Sequence, residues 1–453
     1  MASTTDWHGV RVGVTLSLLT AGQLFTSFAM QWYTIAKLGV GSETDALYAG
    51  STLLQLFSAV VMDQLSFVLV PLLAAREERE RSLLAWPLFL GIGSLFVVVT
   101  GLLYAAAPHL VPLTVPGFSG ATAVLAIELS RIQLIGLLGA AGFTVLSALY
   151  QARNRFLWVG VSVLVCSLLS AWMLVAGLPQ LGVRWAAWVQ VFLWCGPALL
   201  LLRGLGAWSP LSAGHHVLFR DLWYRVRPLL VSAACVRTGF VVDRFLTSFL
   251  ASGSLVLLDL TWRVLAAVVR IVNQGLVTPA VPTLAALARG GQWREFAQLY
   301  HRRLWWMGGA CGAAYVLLLG AVTLGRVFGD GLPVAGLSGE AFATIQAILL
   351  AGAGMLLFGG LNFLMVNAFY AEGETVLPAK IEIGTSLAGF VFKAIGFLLG
   401  GLVGIAVGTS VHYALSSLLL GLFHHRRLAS RLRDGSSSPV QGLLAVGTPG
   451  HSS

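Results

Sequence analysis

About twelve times along the chain, a run of roughly 20 residues passes almost without charge, and short polar loops separate the runs. The first is centred near Leu18 and the last near Leu418. A helix that crosses a bilayer needs about 20 mostly apolar residues. The chain therefore reads as an all-α polytopic membrane protein. Composition agrees, with 57% hydrophobic and 10% charged residues, where a soluble domain carries about 25% charged.

The net charge of +10 first raises nucleic acid as a partner, but its distribution excludes that. Basic residues gather in alternate loops, as Arg76, Arg79 and Arg81, then Arg153 and Arg155, then Arg220, Arg225 and Arg227. Arg289, Arg294, Arg302 and Arg303 continue the series, and Arg426, Arg427, Arg431 and Arg433 follow the last span. The opposite loops hold little beyond Lys37, Arg184 and Arg326. This is the positive-inside pattern, so both termini are expected in the cytoplasm and the protein in the cytoplasmic membrane. No cleavable signal peptide is expected, because Met1–Gly9 lacks a basic leader and runs straight into the first span. The four cysteines are isolated in apolar runs and read as small core residues. No phosphate loop, HExxH or GxSxG occurs, so neither ATP-driven nor hydrolytic chemistry is expected.

The longest polar connection, Leu205–Asp221, divides six spans from six. The expected organisation is a first lobe over 1–209, a second over 210–433 and a disordered cytoplasmic tail over 434–453. The halves echo each other. Val70-Pro71-Leu72-Leu73-Ala74-Ala75 closes the second span and Val281-Pro282-Thr283-Leu284-Ala285-Ala286 the eighth. Ala148-Leu149-Tyr150 ends the fourth span and Ala368-Phe369-Tyr370 the tenth. An even number of spans per repeat gives two parallel lobes related by an axis along the membrane normal.

Polar residues at membrane depth then become informative. Arg263 and Arg270 are close to two turns apart in the eighth span, and Asp259 shares their face. Each such charge costs roughly 2.5–3.5 kcal/mol on insertion scales, and it is kept for a cavity, a counter-charge or a substrate. Asn273 and Gln274 follow, and the seventh span adds Arg237, Asp243 and Arg244. Arginine suits phosphate because its planar fork gives paired, charge-assisted hydrogen bonds and stays protonated. The competing reading makes Asp243–Arg237 and Asp259–Arg263 buried salt bridges, with Arg244 snorkelling from a helix end. The first half is less basic, with Asp63, Glu128 and Arg131 in spans two and four. Asp45 opens the second span and has a plain reading as a helix cap. Lys393 and Glu382 in the eleventh span either pair or line a groove. Most tryptophans fit an aromatic belt, with Trp262 beside Arg263 the exception.

Two stretches resemble the multidrug/oligosaccharidyl-lipid/polysaccharide exporter superfamily, especially its MurJ/MviN-type lipid II flippases and polysaccharide flippases. The first runs from Lys37 through Gly39, Gly41, Thr44 and Asp45 to Tyr48, and on to Val70-Pro71. The second is Val242-Asp243-Arg244-Phe245 with Phe249 to Ser254, through Arg263 to Pro282, and Ala368-Phe369-Tyr370-Ala371 adds a third match. The resemblance implies a V-shaped pair of six-helix lobes that opens alternately to each face. It also implies a lipid-linked saccharide as cargo, and it places Arg263 on the family's eighth-span cavity arginine and Asp45 on its span-two aspartate. The family's basic residues of spans one and two fall here on Met30, Ala36 and Ser58, and its two further spans have no counterpart.

The leading reading is a non-enzymatic flippase that moves a polyprenyl-diphosphate-linked saccharide by alternating access. Arg263, Arg270, Arg237, Arg244, Asp259 and Asn273 are the expected substrate-binding residues. Asp45, Asp63, Asp243 and Arg131 are expected to gate or couple. Neither cofactor nor metal is expected, and a cation gradient or the membrane potential is the candidate drive. Expected partners are membrane lipids and proteins of envelope glycan synthesis. The alternatives are a cation-coupled multidrug exporter of the same fold, a membrane-embedded glycosyltransferase and a non-transporting scaffold.

Overall fold

A computed structural model of the chain describes residues 4–210, 216–328 and 338–436. Residues 211–215 of the polar link and 437–453 of the expected tail lie outside the described residues. Among the described residues every regular element is helical. Seven helices are long and apolar enough to cross a membrane by length and composition. Two of these are hairpins. Phe156–Leu201 turns back at Gly182, whose φ is 66°, and Trp185 Nε1 then donates to the Met173 carbonyl across the turn at 2.8 Å. Val376–Ser436 turns at Gly400 and Gly401. Its two arms approach so closely that a Cβ on Gly396 or Gly404 would strike the opposite backbone. Small residues make such contact available in lipid, where packing rather than water drives helix association.

Counted as rods, the chain gives 4–38, 42–74, 78–114, 120–152 and the arms 156–181 and 183–201. The second half gives 216–247, 254–289, 293–328, 339–371 and the arms 376–399 and 402–436. This is the expected order of spans, and they are named first to twelfth below. Several are broken. The second span contains a π-helical turn, Ser58–Met62, just before Asp63. The seventh breaks at Thr238 and the tenth at Gly352. Breaks like these free backbone groups, so in a bilayer they belong next to other protein or a wet cavity.

The first span packs on the fifth and sixth, and the second on the fourth, forming one bundle; the tenth packs on the eleventh and twelfth in the other. An apolar core runs through the first bundle into the second, and a smaller cluster around Phe296 and Phe369 holds the basic-loop end of the second. Large apolar side chains stay exposed on the outside, with Leu399 at 84% and Trp305 at 81%, as a lipid-facing wall permits.

The bundles meet through the second, seventh and eighth spans. At the end bearing the turns 39–41, 115–119 and 251–253 they are clasped. Asp45 accepts hydrogen bonds from the backbone N–H groups of Gly253 at 2.6 Å and Val256 at 2.9 Å. The carboxylate of one bundle thus caps the helix of the other, where the dipole favours negative charge. Its own helix is served by Thr44, which accepts from the Gly41 N–H at 3.1 Å. Nearby, the Gly117 N–H donates to Ser248 Oγ at 3.0 Å. Gly253 has φ 91°, and a Cβ there would run into Val40 of the other bundle. The turn therefore needs glycine on both counts.

Candidate functional site

Cavities open between and within the bundles, and Arg263 borders three of them. The first, about 450 Å³, lies toward the first bundle and carries Ser27, Gln31, Tyr48, Gln190 and Trp194. The second, about 340 Å³, lies within the second bundle and carries Arg237, Asp243, Trp262, Lys393 and His412. The third, about 240 Å³, lies between the first and eighth spans and carries Phe28, Gln31 and Arg270. Heptad-like spacing on a straight helix explains the convergence, since Arg263 and Arg270 share a face of the eighth span.

Arg263 is 39% exposed, and its Nε donates to Asp259 at 2.7 Å, one turn earlier. Its guanidinium also lies over the Tyr48 ring at 5.5 Å. Asp259 is shared: Arg244 reaches its other oxygen at 3.2 Å, and Gln31 of the first bundle donates to it at 3.4 Å. Arg244 is only 4% exposed. Its remaining donors go to Thr52 Oγ1 at 2.8 Å and Gln55 Oε1 at 3.1 Å, both on the first bundle. Among the described residues, Arg237 and Arg270 are exposed and have no ion-pair partner. Arg237 lies in electrostatic reach of Asp63 on the second span and Glu382 on the eleventh.

Asp243 has a different partner from the one its neighbours suggest. Lys393 Nζ stands 2.8 Å from its carboxylate, and both side chains are under a tenth exposed. Trp262 Nε1 donates to the other oxygen at 3.2 Å. Lys393 also donates to the Gly239 carbonyl at 3.2 Å, just past the break at Thr238. Gly352 makes room for the Trp262 ring, which a Cβ would meet at 2.9 Å. Lys393 therefore pairs with Asp243 rather than with Glu382.

The sequence-predicted residues divide by place. Arg263, Arg237, Asp243 and Asp259 border one cavity. Arg270 and Asn273 border a further cavity of about 500 Å³ beside the tenth and twelfth spans. The Asn273 amide oxygen there is buried and lacks a partner among the described residues. Arg244 and Asp45 lie in the contact between bundles, and Asp63 faces the electrostatic reach of Arg237. Arg131 lies elsewhere. It stacks on Tyr104 at 5.1 Å in a groove of the first bundle with Glu128 and Trp188, away from Arg263. Sequence reasoning passed over Gln31, Gln55 and Gln190. Each is a polar amide inside an apolar run, which was the available signal.

A family model described as lipid II flippase MurJ matches residues 35–443. Among solved structures, the chain is similar to one described as lipid II flippase MurJ in an inward closed conformation. The TM-score is 0.78 and identity 16%, over 94% of this chain and 91% of that one. It is similar to an inward-facing multidrug resistance MATE family transporter of the MOP superfamily, with TM-score 0.73 and 14% identity, over 91% and 96% of the two chains. A MOP superfamily transporter from Pyrococcus furiosus, described by the reverse polarity of its binding pocket, gives TM-score 0.64 and 14% identity over 93% and 96%. No curated protein matches the chain significantly.

Proposed function

From the premise that this chain belongs to the MurJ family of lipid II flippases, we propose that it carries a polyprenyl-diphosphate-linked saccharide across the cytoplasmic membrane by alternating access. The observation that carries the reading is the placement of two exposed, unpaired guanidiniums, Arg237 and Arg270, on cavities that join at Arg263. Cations at membrane depth are costly and are kept for a cavity, a counter-charge or a substrate. A diphosphate supplies the missing charge and matches the guanidinium fork.

The basic loops put the opposite, clasped end on the outer side under the positive-inside rule. The lobes are then sealed outward, and the sugar-diphosphate head reaches Arg263 from the cytoplasmic side. The Arg270 cavity between the first and eighth spans is where head and lipid tail separate. Asp45, Arg244 and their partners hold the outer seal, and their release opens the other face. Arg131 has no part in this scheme. The fold supports transport without enzymatic chemistry, with a cation gradient or the membrane potential as drive. Likeness to the MATE transporters concerns the fold, and the cationic lining disfavours their use as a guide to cargo.

Native mass spectrometry of the protein, gently extracted from its own membrane, tests the reading against Arg263→Ala with Arg270→Ala. A co-purifying polyprenyl-diphosphate glycan that vanishes in the double variant is the expected result. Bulk phospholipid alone in both preparations would remove the diphosphate role.

A further inference from the structure

The two sides of Arg263 differ in chemistry. The second-bundle side holds Arg237, Lys393 and Asp243, and the portal holds Arg270. The first-bundle side is polar without being charged. Its wall presents Ser27, Gln31, Thr34, Ser51, Gln55 and Gln190, with the Trp194 ring among them. Among the described residues the first bundle contributes no acidic or basic side chain to this cavity. Met30, one of the positions where the family resemblance sets a basic residue, is itself part of the wall.

We infer that the sugar held against this wall is uncharged, so that the cargo is a neutral glycan with no carboxylate or phosphate on the residues next to the diphosphate. The inference rests on the lipid-diphosphate reading above and names the substrate class within it. Amides and hydroxyls both donate and accept, which suits sugar hydroxyls and N-acetyl groups. An anionic sugar would lose its water here without gaining a cation. Among the described residues the one cation on this cavity is Arg263, which Asp259 at 2.7 Å and the diphosphate of the reading above already engage. Asp259 would itself repel the newcomer. Arg244 lies behind the wall, 4% exposed, with donors engaged by Thr52, Gln55 and Asp259. A buried charge without a partner is disfavoured far more than a sugar hydroxyl with several. A site built from paired hydrogen-bond groups also rejects ligands that leave those groups unmatched.

The test uses the purified full chain and three defined lipids in competition, read by native mass spectrometry. They are undecaprenyl diphosphate, the same lipid carrying one N-acetylglucosamine, and the same lipid carrying one hexuronic acid. The neutral glycolipid should bind at least about tenfold more tightly than the uronate form, and more tightly than the bare diphosphate. Gln190→Arg should shift the ratio toward the uronate lipid by about the same factor. Equal binding of the two glycolipids, or preference for the uronate, would overturn the neutral-glycan inference and leave the diphosphate reading standing. Equal binding of bare and glycosylated lipids would do the same, because the wall would then not read the sugar. If none of the three binds, both readings fall together. The comparison on unaltered protein decides the matter even where the variant does not fold.

Discussion

Asp243 shows how a single side chain in this protein is held by chemistry from far along the chain. Its carboxylate is buried against Lys393 and Trp262, and neither charge of the pair has water enough to stand alone. Removing the cation by Lys393→Ala should therefore cost about 3–5 kcal/mol, the range for an orphaned buried charge. Thermal unfolding in detergent would read this as a large loss. Lys393→Met combined with Asp243→Asn should restore much of it, because both charges then leave together and Asn still accepts from Trp262. A Lys393→Ala protein that melts with the unaltered one would refute the desolvated pair. Nothing local announces this contact. Arg237 is six residues from Asp243, off the three- or four-residue spacing that pairs side chains along a helix, and the break at Thr238 lies between them, so the two border one cavity without pairing. Lys393 is a separate element, and only tertiary structure selects it. Asp259–Arg263 was legible by contrast, because a four-residue spacing places both on one face.

At the scale of an element, helix ends decide much of the architecture, and the start of the eleventh span is a clear case. Glu374, in the short link after the tenth span, accepts from the backbone N–H groups of Val376 and Leu377, each at 3.2 Å. Its other oxygen takes Arg427 of the twelfth span at 2.9 Å. The Leu377 N–H first, then Arg427, hold its carboxyl below the usual glutamate range. A depressed folded-state value means stabilisation present above the unfolded value and lost as pH falls through the folded one. The cap should therefore survive mild acid through the ordinary glutamate range and fail only below it. Hydrogen exchange at Val376 and Leu377 would report this, with Glu374→Ala giving fast exchange already at neutral pH. Slow exchange in that variant would mean the end is held by packing alone. Helix existence and order were legible from apolar run lengths. Helix caps were half legible: Asp45 carries the mark of a capping residue, but its own helix uses Thr44 and the carboxylate crosses to Gly253 and Val256. Sequence identifies a capping residue more readily than the helix it serves.

At the scale of the whole molecule, matching features recur at corresponding places in the two halves of the chain. Val70-Pro71 and Val281-Pro282 fall at matching places, and so do the left-handed turns. Asn154 and Gly373 follow the fourth and tenth spans, and Gly182 and Gly401 turn the two hairpins. Repetition specifies two lobes but not which face they close, since that balance rests on a few inter-lobe bonds. At the clasped end the principal charged bond among the described residues is Asp45 to the eighth-span amides. Charge-assisted hydrogen bonds contribute about 1.5–3 kcal/mol, so Asp45→Ala should shift the balance away from the sealed state roughly tenfold or more. Arg244 and its partners remain in that variant, so the lobes should loosen rather than separate. Ser27 borders the first-bundle cavity and offers a reporter. In a background with Cys166, Cys195, Cys235 and Cys311 replaced by alanine, Ser27→Cys should react with an impermeant maleimide from the basic-loop face alone. Adding Asp45→Ala should open the same thiol to reagent from the opposite face, while Asp45→Asn, which keeps an acceptor but loses the charge, should fall between. Labelling from one face only in all three proteins would mean that Arg244 and Ser248 hold the seal without Asp45. The lobes would then have to part first deeper in the cleft, where Asp259 joins Arg244 to Arg263.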